Sequence, residues 1–427
     1  MFSSFFKIIF TLVLVGICVA GETGVKENPL YVDPASKDFS TNQDLLDRLL
    51  SGPHGYFRFI NIQFSSEICR RMGERLAEMP MLNLHGDAHL EQYAITDIGR
   101  GLTDYDDSSP GPGGLDLMRV GVSLHLLAKK NGWSASTDAV MNVFLNGYDK
   151  ALKNPDSVAD EPSLVKRIRE GFEIDREGYF KWIASVMQPI EGGMKDSLNR
   201  ALTSYVETKR AEEPDLPAKY FTVVESGILQ MGIGSALDMK FLVRIAGKTD
   251  DPLDDVVLEC KEVRDLSGIP CINSGSNSDP FRILLGQTRI AYSPFKHLGY
   301  FRAFGKTFWV HSWVDNYKEL KIEKSFKSVA ELKEVLYDVG IQLGRGHVKH
   351  IASPLDLQLR REQRRLLKEH SEKFKAVCAE LAAETVAAWE QFVEAINKNT
   401  ESSTEHRGGE DLKTVRSGEK RAEAVRP

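Results

Sequence analysis

The sequence predicts an α+β protein: a helical portion over residues 21–215, a β-rich portion over 216–318, and helix again over 319–398. Three observations carry this. Apolar residues recur at helical spacing over 64–79, through Ile68, Met72, Leu76 and Met79, and over 115–130, through Leu117, Val120, Leu124 and Leu127. Between 220 and 263 the runs FTVVES, MGIGSALDMKFLVRIAG and DDVVLECKEV read as strands separated by turns. Residues 329–350 and 356–397 then return to helical period, the latter through Phe374, Val377, Leu381, Trp389, Phe392 and Ile396.

In chain order, residues 1–20 (MFSSFFKIIFTLVLVGICVA) place one lysine before an apolar run too short to span a bilayer. This predicts a secretory signal peptide and an exported chain, periplasmic or secreted. Cys18 offers a lipoprotein cysteine as the lesser reading, because Ile17 before it is bulky where a small residue is expected. Residues 42–50 predict a short amphipathic helix, SGPHGYFRF a turn leading into an aromatic segment, and Pro80 ends the helix at 64–79. A buried strand at 81–84 follows. Helices are expected at 115–130, at 136–154 with Thr137 or Asp138 as cap, at 162–186 and at 195–209. After the strands come a loop at 266–280, a helix at 281–291 and two strands joined at Gly305. The polar tail at 399–427 predicts disorder.

Composition sets bounds on function. Hydrophobic content of 42% and charged content of 27% suit a soluble globular protein. A net charge of −6, with no motif that reads RNA or DNA, gives no reason to expect a nucleic-acid partner. No later stretch is long and apolar enough to give a stable membrane span. Cys69, Cys260, Cys271 and Cys378 match no zinc spacing. Cys260 and Cys271 are close enough to pair across a loop, or they remain buried thiols.

The chemistry concentrates in LHGDAHLEQYAITDIGRGLTDYDDSSPGPGGLDLMR, residues 84–119. It holds His85, Asp87, His89, Asp97, Asp104, Asp106, Asp107 and Asp116. Carboxylates this dense repel unless a cation or water attends them, so either a cation site or a solvated acidic loop is expected. Asp116 falls in the first turn of the next helix, where a carboxylate complements the dipole. In the β-rich portion Gly232, Gly234 and Ser235 form a hairpin whose glycines let backbone approach a phosphate; an ordinary tight hairpin is the other reading. Alternation puts Val257, Glu259 and Lys261 on one strand face. A lysine inside a strand needs a carboxylate or a phosphate partner, unless it snorkels on an exposed face.

HGDAHLEQ with TDYDD and GPGGLDLMR resembles the HGDxHxxN, NDFDE and GPxxWDLxR motifs of an uncharacterised, mainly bacterial domain-of-unknown-function family. SGPHGYFRF, GIGSALDMKFLVRI, LECKEV, GQTR, TFWVHSWVD and LGRGH follow in the family's order, over roughly residues 45–351. That family is placed with the protein-kinase-like and aminoglycoside-phosphotransferase-like folds. The resemblance therefore implies a two-lobed kinase-like fold, circularly permuted because the glycine loop and lysine follow the acidic site. It implies a phosphotransferase using ATP and magnesium on an unknown acceptor. Asp87 matches the catalytic aspartate and Asp116 the aspartate that braces its loop through His85. Asp104, with Asp106 nearby, matches the metal-binding aspartate and Gln92 the metal-binding asparagine. Lys261 matches the phosphate lysine, and Gly232 with Gly234 the phosphate loop. His347 and Arg58 match recurrent positions.

Three residues depart from the pattern. Gln92 is one methylene longer than asparagine, Leu237 replaces the third loop glycine, and Leu285 stands where a helix glutamate would pair with the lysine. These favour a pseudokinase that binds a nucleotide or partner without turnover. A rival from another class is a metal-dependent hydrolase, in which His85, Asp87 and His89 share one face of an extended segment. Arg119, one turn beyond Asp116, is expected to pair with it. Trp309 and Trp313 read as core or cleft wall, and His311 as near the hinge.

Overall fold

A computed structural model describes residues 28–422 apart from 41, 230, 234–236 and 276–277, with side chains as far as 398. The expected signal peptide lies outside the described residues, as do Gly234 and Ser235. Helix α1 (Gln43–Leu50) is capped by Asn42, whose side chain accepts from the Leu45 amide. Next, α2 (Pro53–Phe59) is a helix where a turn and an aromatic segment were expected. Pro53 opens it at the position where a missing N–H costs nothing, and Tyr56 and Phe57 go into the core. The 17-residue α3 (Asn61–Ala77) follows.

Strand β1 (Met81–Leu84) leads into the acidic stretch, followed by β2 (Tyr93–Thr96), β3 (Arg100–Leu102) and β4 (Ser109–Pro112). Then come α4 (Gly114–Lys130) and α5 (Thr137–Lys153). Thr137 does not cap α5; its hydroxyl bonds back to the Ser134 carbonyl. The helix expected at 162–186 is two, α6 (Ser163–Arg169) and α7 (Arg176–Val186), the second restarted by the Asp175 cap. The order continues with β5 (Met187–Pro189), α8 (Gly192–Glu212), β6 (Val223–Leu229), β7 (Lys240–Ile245), β8 (Val256–Glu262) and α9 (Phe281–Ile290). It ends with β9 (Gly299–Ala303), β10 (Lys306–Ser312), β11 (Tyr317–Glu319), α10 (Val329–Gly346) and α11 (Leu355–Ala422). In α11 helix runs on through the stretch from Asn399 that the sequence predicts to be disordered. A helix already nucleated propagates cheaply through good helix formers such as its Glu, Lys and Arg.

The architecture is mixed α+β. A six-stranded antiparallel sheet has the order β5-β6-β7-β8-β10-β9; β1 pairs with β4, and β11-β2-β3 form a third sheet. One face of the large sheet is apolar. Phe241, Val243, Leu258, Cys260, Phe308 and Val310 pack there against Leu198, Leu202 and Tyr205 of α8. On the other face α7 covers Leu229, Leu242 and Val257. Beyond α7 that face carries Lys240, Glu259, Lys261, Trp309 and His311, all buried. Register sets Lys261 between Lys240 on β7 and Trp309 on β10.

The larger core joins α1–α5, α10 and α11. Helices α5 and α10 touch backbone to backbone: a Cβ on Gly340 would stand 2.3 Å from the Phe144 carbonyl oxygen. A disulfide links Cys69 of α3 to Cys271 in the loop after β8. Cys260 is therefore not its partner. Strand alternation turns Cys260 into the core beneath α8, where it and the Cys378 thiol elsewhere remain free and buried. No helix among the described residues is long and apolar enough to cross a membrane.

Candidate active site

The polar face of the sheet meets the acidic stretch. Strand β1 delivers His85, Gly86 and Asp87. Gly86 has φ +85°, and a Cβ there would lie 1.9 Å from the Asp107 carbonyl oxygen, so the turn needs glycine. Asp116, in the first turn of α4, holds this turn by accepting from the His85 amide at 2.7 Å and the Gly86 amide at 2.9 Å. It braces the loop through backbone rather than through the His85 ring. That ring sits 2.9 Å from the Thr103 carbonyl by Nε2 and accepts from the Asp87 amide at Nδ1. His347 reaches Asp116 at 3.1 Å and Tyr148 at 2.8 Å, fixing the brace from α10.

Asp87 is not free. Arg119 grips its Oδ1 from Nη2 at 2.6 Å and Nε at 2.7 Å. The guanidinium also lies 3.8 Å from the centre of the Phe57 ring. Arg119 thus pairs with Asp87 and not with Asp116, because Asp116 faces the backbone of the turn. Burial alone would raise the Asp87 carboxyl; the Arg119 charge outweighs it and holds Asp87 well below the usual carboxylate range. The Gln92 amide donates at 3.3 Å to both Asp87 and Asp104, while its buried Oε1 has no partner.

Lys261 closes the site from above. Its ammonium lies 2.7 Å from Asp104 and 2.6 Å from Asp106. Trp309 donates its indole N–H to the other Asp106 oxygen at 2.7 Å. Asp104 adopts φ +61°, an unusual conformation for aspartate, and keeps 31% of its side chain exposed. Burial opposes its charge, but Lys261 holds it well below the usual range. Burial and then the Asp104 charge push Asp106 up to about 8. Burial pushes Lys240 down, and the Lys261 charge adds to it. Glu259, beside Lys261, is held down to about 2 against burial by Lys261 and His311.

Asp87, Gln92, Asp104, Asp106 and Lys261 are brought together, with His85 and Asp116 as the frame. Gly232 is a left-handed turn residue with φ +105°, and its carbonyl accepts from Arg48 at 3.4 Å. Asp97 lies outside, bonded to Asn316, and Asp107 is a structural anchor for Asn61 and Arg264. Arg58 pairs with Glu91 at 2.9 Å. Leu285 is 44% exposed, and the partners of Lys261 are Asp104 and Asp106. Trp313 and His311 both bond Glu259. His89 is fully buried, 3.6 Å from Asp87 and edge-on to His54. The turn at Gly86 breaks the extended geometry that would align His85, Asp87 and His89.

Arg119, Lys240, Glu259 and the Trp309 N–H were not assigned to the site from sequence. For Glu259 the signal existed: alternation placed it beside Lys261. For Arg119 the motif GPGGLDLMR, which ends on it, was the signal, but helical spacing pointed it to Asp116 rather than to Asp87, 32 residues away. A family model for uncharacterised proteins conserved in bacteria matches residues 45–177 and 179–395. The chain belongs to that family, DUF2252. No curated protein and no solved structure matches it. The DUF2252 match takes in every residue of the centre just described.

Magnesium fits the donor set. Among the described residues no group of three or more His, Cys, Asp or Glu side chains is placed to hold a metal ion. Magnesium does not ask for one, since it usually takes one or two carboxylates and completes its shell with phosphate and water. The partnerless Gln92 Oε1 is the pointer. The Gln92 side chain already touches both carboxylates through Nε2 at 3.3 Å, so the orphaned oxygen belongs to the residue that lies between Asp87 and Asp104.

Proposed function

We propose that this DUF2252 chain is a kinase-like, circularly permuted phosphotransferase that uses ATP and magnesium on an unknown acceptor. The observation that carries it is the clasp of Lys261 by Asp104 and Asp106, from a strand lysine to the loop after HGD. The chain order of the sheet supports it. Gly232 lies between β6 and β7, the lysine lies on β8, a helix follows, and β9 and β10 complete the sheet. Kinases arrange their phosphate loop, lysine and helix in this succession. Here it comes after the acidic loop.

Asp104 and Gln92 would hold magnesium, with Asp106 beside them; when bound, the ion offsets charge on the transferring phosphate. Lys261 turns from its two carboxylates to the nucleotide phosphates, and Lys240 adds a second cation on the neighbouring strand. Asp87, kept ionised by Arg119, accepts a hydrogen bond from the acceptor hydroxyl and orients it. A carboxylate this acidic is a weak base, so it takes the proton late. Leu285 and the amide of Gln92 support the second reading, a pseudokinase that binds without turnover. The Cys69–Cys271 bridge supports export to an oxidising compartment.

Calorimetric titration of ATP with magnesium, then manganese, tests this in protein beginning at Gly21, alongside Asp104→Ala and Lys261→Ala. Saturable, metal-dependent heat in the wild type, lost in both variants, is expected. Absence of nucleotide heat in the wild type overturns the reading, and zinc uptake abolished by His89→Ala would install the hydrolase. Conversion of bound ATP to ADP separates kinase from pseudokinase.

A further inference from the structure

Two stretches that mark the family resemblance, GQTR and LGRGH, send their arginines away from the acidic centre. They meet elsewhere. Arg289, at the end of α9, and Arg345, in the last turn of α10, line a surface cavity of about 270 Å³ together with Lys349. Ile98, Val158 and Tyr292 supply its apolar wall, and none of its lining residues is acidic.

The cations there are uncompensated. Arg100 also borders the cavity, but its charge is spent on Asp338 at 2.8 Å. Among the described residues Arg289, Arg345 and Lys349 have no carboxylate at ion-pair distance. Arg289 donates to the Asn83 side chain at 2.6 Å, and its buried Nε has no partner. Lys349 donates to the Thr288 carbonyl at 2.9 Å, and Arg345 lies 5.5 Å from the centre of the Tyr292 ring. Burial and then the Arg345 charge push the Lys349 ammonium down. Three like charges around one cavity repel, and an anion between them removes that cost. Guanidinium forks match the oxygens of phosphate. A cavity of this size lies near the small end of ligand pockets, so the ligand is small.

We propose that this cavity binds a small phosphate-bearing anion, free phosphate or a phosphomonoester, at a site separate from the acidic centre. The site does not depend on the nucleotide reading. It does connect to the same turn: Asn83, which holds Arg289, lies on β1 ahead of His85, and His347, two residues beyond Arg345, touches Asp116.

Inorganic phosphate and glycerol 3-phosphate, titrated separately by calorimetry at constant ionic strength, test it in the wild type, Arg345→Gln, Lys349→Gln and Asp104→Asn. Saturable binding is expected, weakened roughly tenfold or more in both cavity variants, as losing a hydrogen bond to a charged group does. It should be unchanged in Asp104→Asn. Tighter binding of the ester assigns the site to a phosphomonoester; equal binding assigns it to phosphate itself. Melting curves check folding, and Lys349→Gln, at a half-exposed position, keeps the test valid should Arg345→Gln fail to fold. No saturable binding of either anion, binding that survives both cavity substitutions, or binding lost only in Asp104→Asn would overturn the proposal.

Discussion

Buried charges at the centre come in hydrogen-bonded groups, while two buried imidazoles beside them stand only at longer range from a carboxylate, His54 3.8 Å from Glu91 and His89 3.6 Å from Asp87. Arg119 meets Asp87, and Lys261 meets Asp104 and Asp106. An uncompensated carboxylate at such depth costs about 3–5 kcal/mol, so each cation maintains the fold as well as the charge pattern. His54 and His89 instead stand edge-on at 5.6 Å, their ring nitrogens without hydrogen-bond partners. Burial pushes His54 down to about 3 from its ordinary 6.5. The folded-state value is the lower one, so on acidification the unfolded chain takes up the proton first. The stability that His54 contributes is complete above about pH 6.5 and is lost as pH falls toward 3. His54→Phe should accordingly flatten the loss of stability between pH 6.5 and 5, read from urea midpoints. Parallel pH dependence in variant and wild type would contradict it. At this scale HGD, DYD and a lysine inside a strand were legible as local patterns, and the family resemblance set them in one site; the direct clasp of Lys261 by Asp104 and Asp106 was not foreseen. The sequence did not disclose the partner of Arg119, whose helical spacing pointed to Asp116 while its side chain reaches across to another loop.

At the scale of elements, close approach rather than bulk positions the brace. Gly147, Gly340 and Gly344 let α5 and α10 touch, which brings Tyr148 and His347 within 2.8 Å of each other and His347 onto Asp116. Gly340→Ala places a methyl against the Phe144 carbonyl, which neither helix can relieve without moving. A loss of about 1–3 kcal/mol in urea unfolding is expected, as for overpacked cores. No loss would mean that the helices slide freely. Most elements were legible, since period and turn residues are local. Helix α2 was not, because Gly52, Pro53 and Gly55 read as a turn until aromatic burial of Tyr56 and Phe57 outweighs them. The break between α6 and α7 was not foreseen either; the Asp175 side chain, accepting from the Gly178 amide, restarts the helix there.

Over the whole molecule, the Cys69–Cys271 bridge ties helix α3 to the loop that follows the lysine strand. It closes a separation of 202 residues. Cross-links over long loops restrict the unfolded chain most, so Cys69→Ser, or reduction, should lower stability by about 2–5 kcal/mol. Equal denaturation midpoints with and without reductant would refute this. Such a pairing is invisible in sequence, where Cys260 is the nearer candidate and only the facing of β8 rules it out. The α+β class was legible because helical and strand periods occupy separate tracts. How the tracts close on each other was not.

That closure comes late in the chain. Lys261 follows Asp104 by 157 residues. A polypeptide emerging from its N-terminus carries Asp104 and Asp106 through that interval without their counter-charge, and Cys69 waits longer still for Cys271. Both vacancies are filled between Lys261 and Cys271. A chain interrupted before that window keeps an open acidic loop and an unspent thiol, two marks by which unfinished molecules differ chemically from finished ones.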